Sequence, residues 1–217
     1  MYRLHAVDDW ASLVVHLVLA EAGLPFERVV HDDASRTTPA YRALSPAGRI
    51  PALETPGGPL FETAAILLWL ADRHGLAPAP GDPARTGFLS WQTFVATTVH
   101  SLVMALLHPY RAAGDAVAPS VCRGAQAALR RELALVEAML ATDAPRWAAP
   151  GQASVFTPYL GVLLRWAQAF PWDPDCAVRV AEFPALQALL AAYESRPAVQ
   201  AAAAAEGLAG RFLTEAA

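Results

Sequence analysis

Apolar positions in the N-terminal third of the chain change their period several times. Tyr2–Val7 is a short apolar stretch closed by Asp8 and Asp9. Ala11–Ala22 then carries Leu13, His16, Leu17 and Ala20 at helical spacing, and Gly23 ends it. Phe26–His31 has strand character. A polar loop with Asp32, Ser35, Arg36 and Thr37 leads to a short helical segment over Pro39–Leu44. Arg49–Glu54 and Gly58–Phe61 are expected strands around the turn Thr55-Pro56-Gly57-Gly58. Glu62–Arg73 is a strongly apolar helix stopped around Gly75. The predicted order is βαβαββα, with two parallel strands and a final hairpin.

Leu76–Asp82, with Pro78, Pro80 and Gly81, has the composition of a linker, and no strand pattern survives beyond it. Helices are expected over Pro83–Leu107, Ser120–Leu140, Thr157–Phe170, Pro184–Ser195 and Pro197–Gly207. For the third of these, Thr157 as cap with Pro158 at the first helical position is the unstrained arrangement. The domain division is therefore an α/β unit over residues 1–76, a linker over 77–82 and an all-helical unit over 83–217. No internal repeat is present.

Composition narrows the chemistry. The 217 residues include 48 alanines, no lysine and no asparagine, and all 16 basic residues are arginine. This is first the codon bias of a GC-rich genome. It still removes Schiff-base lysine chemistry and the lysine-bearing phosphate loop. Hydrophobic content of 55% with 17% charged residues excludes a disordered chain. A net charge of −4 argues against nucleic acid as the main partner. Cys122 and Cys176 make neither a disulfide framework nor a zinc site, and no metal is expected. The start, with His5, Asp8 and Asp9, lacks signal-peptide character, and no apolar run reaches the ~18 residues of a membrane span. The expectation is a soluble cytoplasmic protein with no membrane partner.

The run Leu44-Ser45-Pro46-Ala47-Gly48-Arg49-Ile50-Pro51-Ala52-Leu53, followed by Phe61-Glu62-Thr63-Ala64-Ala65-Ile66, is the most specific signal in the chain. It resembles the cytosolic glutathione transferases, which join a thioredoxin-like domain to a helical one. Four later segments look like the bacterial beta class. They are Trp91 through His100, Tyr159-Leu160 with Leu164-Arg165-Trp166-Ala167, Arg196 through Gln200, and Ala205-Glu206-Gly207-Leu208. The resemblance implies glutathione as co-substrate, a small hydrophobic electrophile as second substrate, and a homodimer.

It also implies a cis bond before Pro51, which turns the backbone of Ile50 outward to pair with an extended peptide. Glu62 and Thr63 open a helix whose free N–H groups favour the γ-glutamyl carboxylate. Arg36 and Arg49 are the nearest cations for the glycine carboxylate, each with a solvated surface arginine as the alternative. His100 falls where the beta class has a histidine lining the cleft, or is a satisfied core group. Trp166, Trp10 and Tyr110 are candidates for the second-substrate pocket.

The pattern breaks where the thiol should be activated. Ala11 stands where the beta class has its cysteine, and Thr93 where it has an asparagine. Ser12, on the first helical turn, is the remaining candidate catalyst, its hydroxyl donating to a thiolate. The alternative for Ser12 is ordinary first-turn chemistry with Asp9 as cap. Ionised Asp8 and Asp9 near the sulfur would raise its pKa. The expected activity is transfer of the glutathione thiol to an electrophile. The alternatives are a non-catalytic binding or docking module and a glutathione-dependent isomerase or peroxidase.

Overall fold

A computed structural model describes residues 1–216, without the side chains of Ala113 and Asp143; Ala217, the end of the expected helical unit, lies outside the described residues. The N-terminal part is β1 (Tyr2–Ala6), α1 (Ser12–Glu21), β2 (Phe26–Val30), α2 (Pro39–Leu44), β3 (Ala52–Thr55), β4 (Gly58–Phe61) and α3 (Thr63–His74). The strands form one sheet in the order β2-β1-β3-β4, with β1 parallel to β2 and antiparallel to β3, and β3 antiparallel to β4. The expected βαβαββα order is what the chain adopts.

Residues alternate between the two faces of β1. Leu4 and Ala6, both fully buried, join α1 and α3 in the main core. His5 turns the other way, against Tyr41 of α2, where Tyr41, Ile50 and Ala52 form a smaller apolar cluster. Ser12 through Leu19 of α1 are all buried, as expected of a helix apolar on every side and covered on every side. Gly23, at φ +62, ends α1 in a left-handed turn that lets Leu24 N–H reach the Leu19 carbonyl.

Residues 75–84 are irregular and lead into α4 (Arg85–Phe94), a π-helical turn (Val95–Val99) and α5 (His100–Leu107). The sequence predicts one helix over Pro83–Leu107, and the backbone is helical throughout α4 and α5. The extra residue of the π-turn falls in a run rich in β-branched side chains, where Thr97 Oγ1 donates back to the Thr93 carbonyl at 2.9 Å. α6 (Tyr110–Ala113), a single turn not anticipated, precedes α7 (Ala118–Asp143), α8 (Phe156–Ala169), α9 (Pro184–Glu194) and α10 (Pro197–Ala204).

The start of α8 corrects the expectation for Thr157. The helix begins at Phe156, Val155 already has helical dihedrals, and the Ser154 hydroxyl accepts from Phe156 N–H at 3.2 Å. Val155 is therefore the N-cap position, preceded by the Ser154 hydroxyl, and Pro158 is the third helical residue. Burial decides the matter, because Val155 and Phe156 are both fully buried and the earlier start seats them in the core.

One apolar cluster runs from β1, α1 and α3 through α5, α7, α8 and α9. The helical part thus packs directly on the sheet's helices, with α1 against α8 and α10. No helix among the described residues is long and apolar enough to cross a membrane.

Candidate functional site

Strand register gathers four connections at one edge of the sheet. β1 ends at Ala6 beside Val30, where β2 ends; His5 pairs with Ala52, where β3 begins; and Ala52 pairs with Phe61, where β4 ends. The segments that follow or precede those ends are residues 7–11, 31–38, 48–51 and 62–63. They hold nearly every residue singled out in the N-terminal part. The helical part faces this edge through α5 and α8.

The Ile50–Pro51 bond is cis, as expected. Neither Ile50 N–H nor its C=O pairs with backbone among the described residues, so both remain for an extended ligand. The preceding turn is held by Tyr41, whose hydroxyl donates to the Arg49 carbonyl at 2.8 Å. Gly48 sits at φ +66, and a Cβ there would lie 3.0 Å from the Arg36 carbonyl. Only glycine fits that crossing of the two loops. Burial pushes the Tyr41 phenol up to about 12, so it stays a donor.

Thr63 is the first residue of α3 and is buried, while Glu62 before it is exposed and holds φ +69. This places the unpaired N–H groups of a twelve-residue helix at the sheet edge. Arg36 reaches the same edge. Its guanidinium is 4.8 Å from the centre of the half-exposed Trp10 ring, pairs with Asp33, and keeps a buried Nε without a partner. Arg49 is exposed. Its carbonyl and N–H bond to Tyr41 and Ser45, and its side chain forms no ion pair among the described residues. That is the surface position given as its alternative.

His100 opens α5 facing α8, where its Nδ1 and the Tyr159 hydroxyl share a 2.8 Å hydrogen bond. Burial lowers the His100 pKa and raises that of Tyr159, to which the charge of Glu62 adds. Tyr159 and His100 are thus paired between α8 and α5, with His100 neutral near pH 7. Thr93 is exposed on α4.

Three expectations need correction. The Ser12 side chain is fully buried, donating to the Val7 carbonyl at 2.9 Å and accepting from Val7 N–H at 3.1 Å. Its proton is committed to closing the β1–α1 turn, so it does not face a thiol. Asp9 does not cap α1, which has no side-chain cap. Instead Asp9 holds φ +57 and its carboxylate takes Arg165 in two bonds, Nε–Oδ1 at 2.8 Å and Nη2–Oδ2 at 2.7 Å. Asp8 is paired with Arg28 at 2.5 Å, so both carboxylates expected to oppose a thiolate are neutralised by arginine.

Trp166 is 7% exposed and its indole N–H donates to the Asp9 carbonyl at 3.1 Å. It holds the turn and offers little face to a ligand. Tyr110 is exposed beside His108 at 3.2 Å on α6, which packs on α7, and is not brought to Trp10. Both cysteines are buried, and burial pushes Cys176 up to about 12 with Cys122 beside it.

Sequence reasoning missed the hold on Asp9. Glu206, after α10, accepts from Asp9 N–H at 2.9 Å and from His16 Nδ1 at 2.6 Å, with Arg28 Nη1 at 3.5 Å. The segments carrying Arg165 and Glu206 stand out in the sequence, but their common target lies more than 150 residues away in the chain. No local pattern links them. No cluster of three or more metal-ligating side chains is present among the described residues.

Comparison with known proteins agrees with this fold. A family model for the glutathione S-transferase N-terminal domain matches residues 11–73. The chain is 31% identical to glutathione S-transferase GST-4.5 of Xanthomonas campestris pv. campestris over 210 residues, covering 95% of this chain and 99% of that one. A sphingomonad glutathione S-transferase solved with glutathione superposes with a TM-score of 0.75 at 34% identity, over 95% of this chain and 100% of the other. The bacterial beta class enzyme of Sphingomonas chungbukensis gives 0.76 at 29%, over 95% and 99%. A relative of this identity, matched over its whole length, fixes the kinship: the chain belongs to the glutathione S-transferase family.

Proposed function

We propose that this protein binds glutathione as co-substrate along the gathered strand ends and presents its thiol, at the start of α1, to a small hydrophobic electrophile. The observation that carries the reading is the convergence of the outward Ile50 backbone, the open N-terminus of α3 and the arginine Arg36 on one sheet edge. Each matches one part of the tripeptide. Ile50 pairs with its backbone, Thr63 and the α3 N–H groups take the γ-glutamyl carboxylate, and Arg36 takes the glycine carboxylate, with Arg49 able to reach the same end.

With the Ser12 hydroxyl committed to Val7, thiolate stabilisation falls to the N–H groups of Ala11 and Ser12 at the open end of α1. A free thiol has a pKa of ~8.5, so even modest stabilisation by the helix terminus raises the thiolate fraction at neutral pH. Trp10 forms the wall toward the second substrate. Neutral His100, held by Tyr159, lines the helical side. The working form on this reading is a cytoplasmic homodimer, which light scattering tests.

One observation favours a second reading. A chain that has alanine for cysteine and a serine turned inward has no side-chain group aimed at the sulfur, which suits a glutathione-binding module without turnover. Calorimetry with glutathione, followed by turnover of a chlorinated aromatic and of a peroxide, separates the two. Binding with conjugation supports the transferase. Binding without either reaction supports the module, and no binding in the millimolar range removes both. Ser12→Ala is expected to lower stability rather than abolish turnover.

A further inference from the structure

All three functional parts of Asp9 are taken by groups from the helical part of the chain. Its N–H goes to Glu206, its C=O to the Trp166 indole, and its carboxylate to Arg165 in a two-bond pairing. The residue sits at φ +57, a left-handed conformation uncommon outside glycine and tolerated by aspartate better than by most residues. Arg165 is itself 7% exposed and also donates to the Phe212 carbonyl at 2.9 Å. The next two residues are Trp10, stacked on Arg36, and Ala11, the first N–H of the open helix end.

We propose that Arg165 is a positioning residue for the thiol site: it holds the Asp9 carboxylate of the β1–α1 turn, and its effect on the thiol is to cancel that carboxylate's charge. The inference rests on the reading that the start of α1 receives the glutathione thiol. Arg165 touches neither glutathione nor electrophile, and its effect is carried by Asp9. The other charges around the turn are already matched, Asp8 and Glu206 by Arg28, while Arg36 pairs with Asp33. Asp9 is thus the one carboxylate of the turn whose compensation depends on the helical part's Arg165 alone.

Charge and geometry predict different signs in two variants. Arg165→Met leaves an uncompensated carboxylate beside the sulfur, and the pKa of bound glutathione should rise by about 1 unit or more. Asp9→Asn keeps the size of the side chain and leaves the guanidinium unmatched, so the same pKa should stay or fall. A role confined to holding the loop in shape would raise the pKa in both, because both lose the paired fork. The double variant Asp9→Asn with Arg165→Met should return the pKa toward wild type.

The readout is the ultraviolet absorbance of the bound thiolate against pH, with calorimetry of glutathione on each protein. Wild type that binds no glutathione overturns the parent reading and leaves this step without a site. Wild type that binds glutathione, with Arg165→Met bound and its thiol pKa unmoved, overturns this inference alone. If Arg165→Met does not fold, the sign in Asp9→Asn decides, and a rise there overturns the proposal.

Discussion

Replacing Glu206 by alanine tests the connection between the C-terminal segment and the β1–α1 turn. The Glu206 side chain is fully buried and accepts from Asp9 N–H at 2.9 Å and His16 Nδ1 at 2.6 Å, with Arg28 at 3.5 Å. Alanine leaves His16, only 6% exposed, and a backbone N–H without their acceptor. Arg28 keeps Asp8 and the Ala205 carbonyl and so loses least. Hydrogen bonds to a charged group contribute about 1.5–3 kcal/mol each, so losing those from Asp9 N–H and His16 costs on the order of 3–5 kcal/mol. For a chain of this length each kcal/mol lowers Tm by about 2–4 °C, so Glu206→Ala should melt roughly 6–20 °C below wild type. The assay is urea unfolding at neutral pH, with a His16→Phe partner to close a double-mutant cycle. Adding His16→Phe to Glu206→Ala should cost less than His16→Phe alone, with coupling of about 0.5–3 kcal/mol. A loss below ~1 kcal/mol in Glu206→Ala, or additive losses, would refute the argument that this contact anchors the turn.

Three further outcomes follow from the site. Gly48→Ala forces a Cβ to within 3.0 Å of the Arg36 carbonyl at φ +66, so urea unfolding should show a loss of about 1–2 kcal/mol and calorimetry a weaker glutathione affinity. Thr63→Val removes the hydroxyl expected on the γ-glutamyl carboxylate, and the Kd for glutathione should rise about 10-fold or more with little change in unfolding midpoint. Burial holds the His100 pKa below its unfolded value of 6.5. As pH falls from just above 6.5 toward the lower folded value, the unfolded chain binds a proton that native His100 does not, so stability drops across that window. The contribution approaches about 1.4 kcal/mol per pH unit for this one group and vanishes above neutral pH. Urea titrations between neutral and mildly acid pH should show a shallower acid-side slope in His100→Gln.

How much of this was legible from the sequence depended on the reach of each interaction. The βαβαββα order rests on short-range periodicity and on turn residues such as Gly23 and the Pro56-Gly57-Gly58 corner, and its bounds agree to a residue except at β3, expected from Arg49 and found from Ala52, after the cis bond. The cis bond before Pro51 was expected from the family resemblance carried by Leu44–Leu53, and the helix opening at Thr63 from the run Phe61–Ile66 beyond the hairpin turn. Ser12 misled because its spacing is compatible with facing a ligand or facing inward. The choice is made by the Val7 backbone, which offers both a donor and an acceptor to one hydroxyl. Thr157 misled in a similar way. Local proline chemistry favoured the later start of α8, but Pro158 as the third helical residue still forfeits no intrahelical bond, and the earlier start seats Val155 and Phe156 in the core.

The aspartates show why the remainder was hidden. Read locally, Asp8 and Asp9 oppose a thiolate and argue against catalysis. In the fold each is met by an arginine, one from β2 and one from α8, and the contact that reverses the argument spans 156 residues for Asp9. The same long contact explains why a lysine-free chain loses little here. A guanidinium alone can supply two parallel N–H donors to a carboxylate, and that fork is what Asp9 receives from Arg165. Replacing the beta-class cysteine by Ala11 then removes a reactive sulfur from the turn without removing the turn's geometry. Arg165, Trp166 and Glu206 still set that geometry from outside the N-terminal part. On the proposed reading, in which backbone N–H groups receive the thiol, that external hold matters more than it would with a side chain aimed at the sulfur, and the contacts on Asp9 supply it.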